Sequence, residues 1–214
     1  EKFNDPEQLW DGPVTPLDLI DCNGQRCALT LACNGIDARV AADVHKYSVL
    51  PLVQGKGAYI ASLLVNFFFK GIGSHWTVYL DGVPQTGTFS LVTVCNGRYY
   101  GGGFLPVQEA SMTDGMLNTL VVKQVTRRAF TRFVAPYSKG EYWRFPQYAQ
   151  SYTAKEIRIT SDEDIVTCLD GEILRFRDVT FRLSDKKLNF FAPKGASPDA
   201  TFTPIDQQQR KNSL

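Results

Sequence analysis

The chain has 214 residues, a formal net charge of +1 and a charged fraction of 21%. This length allows one or two domains with a sizeable core, and the near-neutral charge excludes a strong electrostatic field for nucleic acids. The five cysteines are an odd number and form no C-x-x-C pair. They therefore favour a reduced, cytoplasmic compartment over a disulfide framework or a cysteine metal site.

The first part of the chain predicts a hairpin followed by a helix. Asn23-Gly24 separates two apolar runs, Val14–Asp21 and Arg26–Ala32, and Asn-Gly between such runs is a strong hairpin signal. Asn34 to Asp37 are expected to turn the chain. Asp37 can then cap a helix from Ala38 to about Lys46, since a short acidic side chain satisfies the first free backbone N–H groups.

Two further helices are predicted in this half, at Lys2–Trp10 and Gly55–Lys70. The second has apolar residues at helical spacing on one broad face. It is too short to span a bilayer, which needs about 20 apolar residues. Its apolar face indicates a core helix, the wall of an apolar ligand pocket, or both.

From His75 onward the pattern becomes β-rich. The predicted strands are Trp76–Leu80, Thr86–Cys95, Leu117–Lys123, Ser151–Thr160, Ile165–Leu169, Glu172–Phe176, Val179–Leu183 and Leu188–Ala192. Short strands at this spacing are typical of a sandwich. The fold class is therefore mainly β, a β-sandwich with inserted α-helices, which occupies residues 1–205 and is followed by a polar tail at residues 206–214.

One more helix is predicted at Thr126–Tyr137, between the strands. One of its faces is apolar and the other carries three arginines. The apolar face can pack on the domain and leave the arginines in solvent. Alternatively, the basic face can rest on an anionic membrane surface, together with the aromatic residues Tyr142, Trp143 and Phe145.

Three spots carry glycine or acidic residues that suggest chemistry. The glycine-rich stretch Val94–Met116 requires a backbone that bends sharply or approaches another group closely, unless it is an ordinary loop. Within it, Asp114 lies in a glycine turn and, with neighbouring carbonyls, can hold a hard cation such as Mg²⁺. Asp170-Gly171-Glu172 places two carboxylates at positions i and i+2, which share one side of an extended backbone.

Paired carboxylates can bind Mg²⁺ or take a proton from a hydroxyl nucleophile. The simpler interpretation is a plain turn at both acidic spots, as it is for Asp81-Gly82, which has no second acid at that spacing. The sequence contains no G-x-S-x-G elbow, zinc motif or P-loop.

An ordered set of motifs resembles the C-terminal domain of the diacylglycerol kinase catalytic family, which includes bacterial soluble diacylglycerol kinases and sphingosine kinases. The matching segments are Pro16–Leu19, Asn34–Ala38, Gly57–Tyr59, Cys95–Gly103, Ala110–Gly115 and Asp170–Glu172. The resemblance implies the second domain of a two-domain lipid kinase. The N-terminal nucleotide-binding domain, with its Gly-Gly-Asp-Gly-Thr loop, is expected to be absent from this chain.

The resemblance also implies roles for individual residues. Glu172 matches the general base toward the lipid hydroxyl, and Asp170 matches the acid that orients Glu172 or its metal. Asp114 matches the side-chain ligand of a structural Mg²⁺ site, completed by the carbonyl groups of Ser111 and Met116. Thr113 departs from the family pattern, which often has a second aspartate at this position.

The implied function is ATP-dependent phosphorylation of a primary hydroxyl of diacylglycerol or a related lipid. The expected cofactors are Mg²⁺ and ATP, the latter bound mainly by the absent domain, so the chain alone is expected to be inactive. The protein is expected in the cytoplasm, peripheral at the inner face of the membrane, and an exposed edge strand would allow a homodimer. The alternatives are a non-catalytic lipid- or partner-binding β-sandwich and a kinase acting on NAD, which the apolar helix Gly55–Lys70 fits less well.

Overall fold

The computed structural model of the chain describes residues 12–48, 71–100 and 103–191. The predicted helices Lys2–Trp10 and Gly55–Lys70 and the polar tail lie outside these residues. The strands are β1 (Val14–Leu17), β2 (Ile20–Cys22), β3 (Arg26–Ala28), β4 (Leu31–Gly35), β5 (Ser74–Leu80), β6 (Val83–Cys95), β7 (Leu117–Lys123), β8 (Ala149–Ala154), β9 (Glu156–Leu169), β10 (Glu172–Leu183) and β11 (Leu188–Phe191). The α-helices are α1 (Ile36–Ser48) and α2 (Arg127–Ser138), and a short 3-10 turn covers Tyr142–Arg144.

Nine of these strands form one antiparallel sheet in the order β3-β2-β10-β9-β4-β6-β7-β8, and β5 pairs with both β6 and β9. The two long strands β6 and β9 organise the sheet. β4 pairs with the last residues of β6 and β9, and β5 pairs with their first residues. β4 and β5 therefore lie end to end between the same two strands, while β1 and β11 form a separate ribbon.

The main core lies on one face of the sheet, and all nine strands contribute buried side chains to it. Strand β5 shows why, because Trp76, Val78 and Leu80 are buried at every second position. This main core contains no residue of the two described helices. The sheet therefore curls around the core and encloses it with its own strands. The mainly β, sandwich-like fold class expected from the sequence is confirmed.

The two helices cover the opposite face of the sheet. Phe130, Phe133 and Tyr137 of α2 are buried in a second core cluster with residues of β6 and β7. This explains why the apolar runs of β6 and β7 are buried on both faces. Thr126 caps α2 by accepting a hydrogen bond from the Ala129 N–H at 3.2 Å. The packing of this helix on the domain agrees with the first of the two interpretations.

The strand boundaries differ from the sequence prediction in several places, and the expected strand Val14–Asp21 divides into β1 and β2. Two other breaks share one cause. The expected strand Arg26–Ala32 is interrupted between β3 and β4, where backbone N–H groups bind the carboxylate of Asp170 instead of a neighbouring strand. The expected strand Ser151–Thr160 is interrupted at Lys155, where two N–H groups bind the carboxylate of Asp81. An aspartate in a distant hairpin thus holds each break.

Helix α1 begins directly after β4 rather than after a separate turn. Gly35 adopts φ +96, and a side chain there would meet the Ser90 carbonyl oxygen at 2.5 Å, so only glycine fits this junction. The helix starts at Ile36. Asp37 therefore lies in the first turn, and its carboxylate binds tyrosine hydroxyls instead of the helix end.

Candidate functional site

Asp170 and Gly171 form the two-residue turn between β9 and β10, in which Leu169 pairs with Glu172. Their φ angles are +46 and +99, as a type I′ hairpin turn requires. The backbone at Asp170 is therefore not extended, and the expectation that Asp170 and Glu172 share one side of an extended strand is wrong. The two acids are neighbours across a tight turn instead.

The Asp170 carboxylate is held by three consecutive backbone N–H groups. Leu29 donates to Oδ2 at 2.5 Å, Leu31 donates to Oδ1 at 2.9 Å, and Thr30 donates to both oxygens at 3.1 Å. The Asp170 N–H returns a bond to the Leu31 carbonyl oxygen at 3.1 Å. Successive N–H groups of this kind stabilise a negative charge, so this carboxylate has a fixed position and is bound on both oxygens.

Glu172 has the opposite environment. Its side chain is 66% exposed, and its Oε2 lies 3.9 Å from Nη1 of Arg26, which is itself exposed. An exposed pair at this distance constrains a side chain weakly. The Glu172 carboxylate is therefore accessible to a substrate, at the end of a hairpin whose turn is firmly anchored through Asp170.

Asn96 and Gly97 hold the other side of the segment that binds Asp170. Both backbone N–H groups donate to the Thr30 carbonyl oxygen, at 2.9 and 2.7 Å. The buried Asn96 amide group donates to the carbonyl oxygens of Leu29 and Asp18, each at 2.7 Å. The motifs around Asn96 and Asp170, far apart in sequence, therefore meet at one short segment.

The candidate cation loop, Ser111–Met116, contains hydrogen bonds between its own residues. Asp114 is exposed, and its Oδ1 accepts a bond from the Met116 N–H at 3.0 Å. Ser111 and Thr113 are in contact through their hydroxyl oxygens at 3.3 Å. One exposed carboxylate with main-chain carbonyl groups is a donor set that suits a hydrated Mg²⁺. Within the described ranges no group of three or more acidic, histidine or cysteine side chains could hold a metal.

Asp18 anchors this loop. It lies in the matching segment Pro16–Leu19, to which the sequence alone assigns no role. It is 1% exposed. Its N–H donates to the Met112 carbonyl oxygen at 2.7 Å, and its Oδ2 accepts from the Gly115 N–H at 2.9 Å. The Lys187 ammonium donates to its Oδ1. Asp18 thus already has a cationic partner in Lys187, and it holds the loop through Met112 and Gly115.

A second polar cluster joins the first turn of α1 to α2. Oδ2 of Asp37 accepts from the hydroxyls of Tyr100 at 2.7 Å and Tyr137 at 2.6 Å, and the two hydroxyl oxygens are 2.7 Å apart. Burial raises the pKa of the Asp37 carboxyl above its ordinary value, although both tyrosine hydrogen bonds act in the opposite direction. An apolar cleft lined by Phe104, Phe130 and neighbouring residues lies beside this cluster.

The predicted membrane-contact residues divide into two groups. The arginines of α2, Arg128 and Arg132 among them, are exposed. In contrast, Tyr142 is buried, and Trp143 and Phe145 pack against the core cluster under α2. The basic face of α2 is therefore exposed, whereas these aromatic side chains pack largely inside the fold. Across the described residues, no helix has the length and apolar character needed to cross a membrane.

The sequence is similar to one protein family and to several curated proteins. A family model described as the YegS C-terminal NAD kinase beta sandwich-like domain matches residues 30–192. Curated Staphylococcus aureus proteins named "Putative lipid kinase" are 25% identical over 167 residues, which cover 78% of this chain and 53% of theirs. The chain thus spans about half the length of the curated relatives it matches.

The fold resembles that of solved kinases. A crystal structure of a diacylglycerol kinase from Bacillus anthracis str. Sterne matches with a TM-score of 0.56 and 18% identity, over 86% of this chain and 56% of that one. This likeness concerns the fold alone. Because the family model covers most of the sequence, the chain belongs to the family of YegS C-terminal NAD kinase beta sandwich-like domains, and the resemblance to the lipid kinase family is confirmed.

Proposed function

We propose that this family member is the lipid-site domain of an ATP-dependent lipid kinase. The reaction transfers the γ-phosphate of ATP to a primary hydroxyl of diacylglycerol or a similar lipid. The observation that carries the proposal is the Asp170–Glu172 hairpin, in which one carboxylate is bound by three N–H groups and the other is exposed. A rigidly anchored turn with an accessible acid suits proton abstraction from a bound alcohol.

In this mechanism Glu172 is the general base. Its carboxylate accepts the proton of the lipid hydroxyl while that oxygen forms a bond to the γ-phosphorus and ADP leaves. Asp170 does not accept the proton, because both of its oxygens are occupied by backbone donors. It orients Glu172 through the turn, and Asn96 supports the same segment from the other side. Such positioning is the main protein contribution to phosphoryl transfer.

Mg²⁺ and ATP belong to the proposal as cofactors. When bound, the metal ion neutralises charge on the phosphates, and the nucleotide is held mainly by a second domain. In this chain, Asp114 and the carbonyl groups of Ser111 and Met116 would hold a structural Mg²⁺. Hydrogen bonds to Asp18 link this loop to the segment between β1 and β2. An ion in the loop would therefore stabilise the domain and take no direct part in the transfer.

The deciding experiment is a kinase assay with a panel of lipids, on the protein that carries this chain together with a nucleotide-binding domain. Glu172→Gln should lower kcat by about 10²–10⁴-fold, the range of general acid–base catalysis. Glu163→Gln, an exposed acid on β9, is the matched control and should keep full activity. Equal activity of Glu172→Gln and wild type would refute the assigned base.

The same assay separates the proposal from its alternative. The 214-residue chain alone should phosphorylate no lipid, and ATP-dependent phosphorylation by it would contradict the need for a second domain. If the two-domain protein phosphorylates none of the lipids but binds lipid vesicles, the chain is a non-catalytic lipid-binding module.

A lipid kinase must also reach its substrate in the bilayer, and the exposed arginines of α2 support a peripheral contact with an anionic membrane surface. Each basic residue near such a surface contributes about 1 kcal/mol. Combined Arg128→Gln and Arg132→Gln changes should therefore weaken sedimentation with phosphatidylserine vesicles at least tenfold. Arg177→Gln, on the exposed side of β10, is the control, and equal loss in all variants would argue against this face.

A further inference from the structure

Two cysteines face each other across the sheet beside the Asp170 turn. Cys33 of β4 is the register partner of Cys168 of β9. The hydrogen bond from the Asp170 N–H to the Leu31 carbonyl oxygen marks a hydrogen-bonded pair two residues away. Because such pairs alternate in an antiparallel ladder, Cys33 and Cys168 form the next one, with Cα atoms about 5.5 Å apart. Disulfides span about 4.4–6.8 Å between Cα atoms.

The two thiols lie side by side in one small buried cluster, because register partners on neighbouring antiparallel strands project from the same face of the sheet. Interaction with the Cys33 thiol lowers the pKa of Cys168, while the same interaction and burial raise the pKa of Cys33. Burial and the nearby carboxylates of Asp37 and Asp170 oppose the shift at Cys168 without reversing it. These opposite directions make Cys168 the more easily deprotonated thiol of the pair.

Both cysteines are buried, with Cys168 6% exposed and Cys33 3% exposed. The small side chains Ala38 and Ala41 of α1 pack over this pair. A small, uncharged oxidant fits this access better than a bulky disulfide reagent does.

We propose that Cys33 and Cys168 form an oxidation site for hydroperoxides, which converts the two thiols into a disulfide between β4 and β9. In the first step the Cys168 thiolate attacks one peroxide oxygen, the O–O bond breaks, and the released hydroxide takes up the proton lost by Cys168 to give water. In the second step the Cys33 sulfur attacks the resulting sulfenic acid. The S–O bond breaks, the S–S bond forms, and a second water leaves with the Cys33 proton.

Overall, two thiols lose two electrons and one hydrogen peroxide becomes two waters. The new bond joins the strands two residues before Asp170, so it tethers the turn that carries the proposed catalytic acids. The oxidation chemistry itself does not depend on the proposed function. A kinase assay that failed would leave it standing, and the reverse also holds.

The test uses the Cys27→Ala variant, because Cys27 is the exposed cysteine among the five and would compete for peroxide. After treatment with stoichiometric hydrogen peroxide, its four remaining thiols should fall to two in denaturant. The mass should fall by about 2 Da, as expected when a dithiol becomes a disulfide. A non-reducing peptide map should show Cys33 linked to Cys168, and dithiothreitol should restore both thiols.

The control adds Cys168→Ala to the same protein, which should then form no internal disulfide. Retention of all four thiols in the Cys27→Ala protein, a mass gain without a cross-link, or a linkage between other cysteines would each overturn the proposal. The peptide map of the Cys27→Ala protein decides this alone, even if the Cys168→Ala change prevents folding.

Discussion

The anchoring of the Asp170 hairpin can be tested by removing its carboxylate without straining the turn. Asp170 and Asp81 occupy the same position in two-residue turns, with φ angles of +46 and +47. Glycine adopts these angles freely, so Asp170→Gly and Asp81→Gly each delete a carboxylate and little else. The second substitution is a matched control at a hairpin with no proposed catalytic role.

The expected losses follow from the hydrogen bonds. Asp170 accepts from three N–H groups, and Asp81 accepts from two, those of Lys155 and Glu156, both at 2.9 Å. Each net bond at these exposed turns contributes about 0.5–1 kcal/mol, because freed N–H groups are partly rehydrated. The added flexibility of glycine and the relief of the left-handed backbone penalty act in opposite directions and are alike in both variants. Asp170→Gly should therefore lose about 1.5–3 kcal/mol and Asp81→Gly about 1–2 kcal/mol.

Urea unfolding of the two variants and wild type measures these losses. Amide hydrogen exchange gives the local readout, since the amides of Leu29, Thr30 and Leu31 should exchange faster in Asp170→Gly and remain protected in Asp81→Gly. An Asp170→Gly variant as stable as wild type, or unchanged exchange at these three amides, would show that the carboxylate does not anchor the turn.

Three other predictions concern separate parts of the fold. Burial raises the pKa of the Asp37 carboxyl in the folded chain, so its stabilising contribution is complete below the unfolded pKa and is lost as pH rises through the folded pKa. Asp37→Asn should remove this fall, and a difference in urea midpoint from wild type that is constant from about pH 4 to 8 would contradict it. Gly82→Ala meets only the left-handed backbone penalty of about 1–2 kcal/mol. Gly35→Ala also meets the Ser90 carbonyl oxygen, so its loss in thermal or urea unfolding should be larger by about 1–3 kcal/mol; equal losses would argue against the crowding. Finally, Asp114→Ala should abolish any rise in melting temperature caused by Mg²⁺, and an unchanged rise would exclude this loop as the cation site.

Local sequence signals predicted most of the strands and turns. The hairpins at Asn23, Asp81 and Asp170 form where an Asn-Gly or Asp-Gly pair separates apolar runs, because these residues adopt positive φ at little cost. Helix α2 forms where apolar and basic stripes alternate, with its cap one residue before the helix. In each case the determining interactions lie within a few residues.

The breaks between strands could not be predicted in this way. The run Arg26–Ala32 has the composition of one strand, yet it divides because its N–H groups bind Asp170. A local pattern contains no information on which distant carboxylate is available.

What the sequence alone determined was the mainly β class, the hairpin turns and the ordered motifs that identify the family. What only the tertiary structure decided was the difference in environment between the two acids. The Asp170 carboxylate is bound by N–H groups about 140 positions away along the chain, whereas Glu172, two residues later, is exposed. The physical reason is that hydrogen-bond partners and exposure depend on which distant segments pack together, and the pairing of β4 with the end of β9 brings residues 29–31 to the β9–β10 turn.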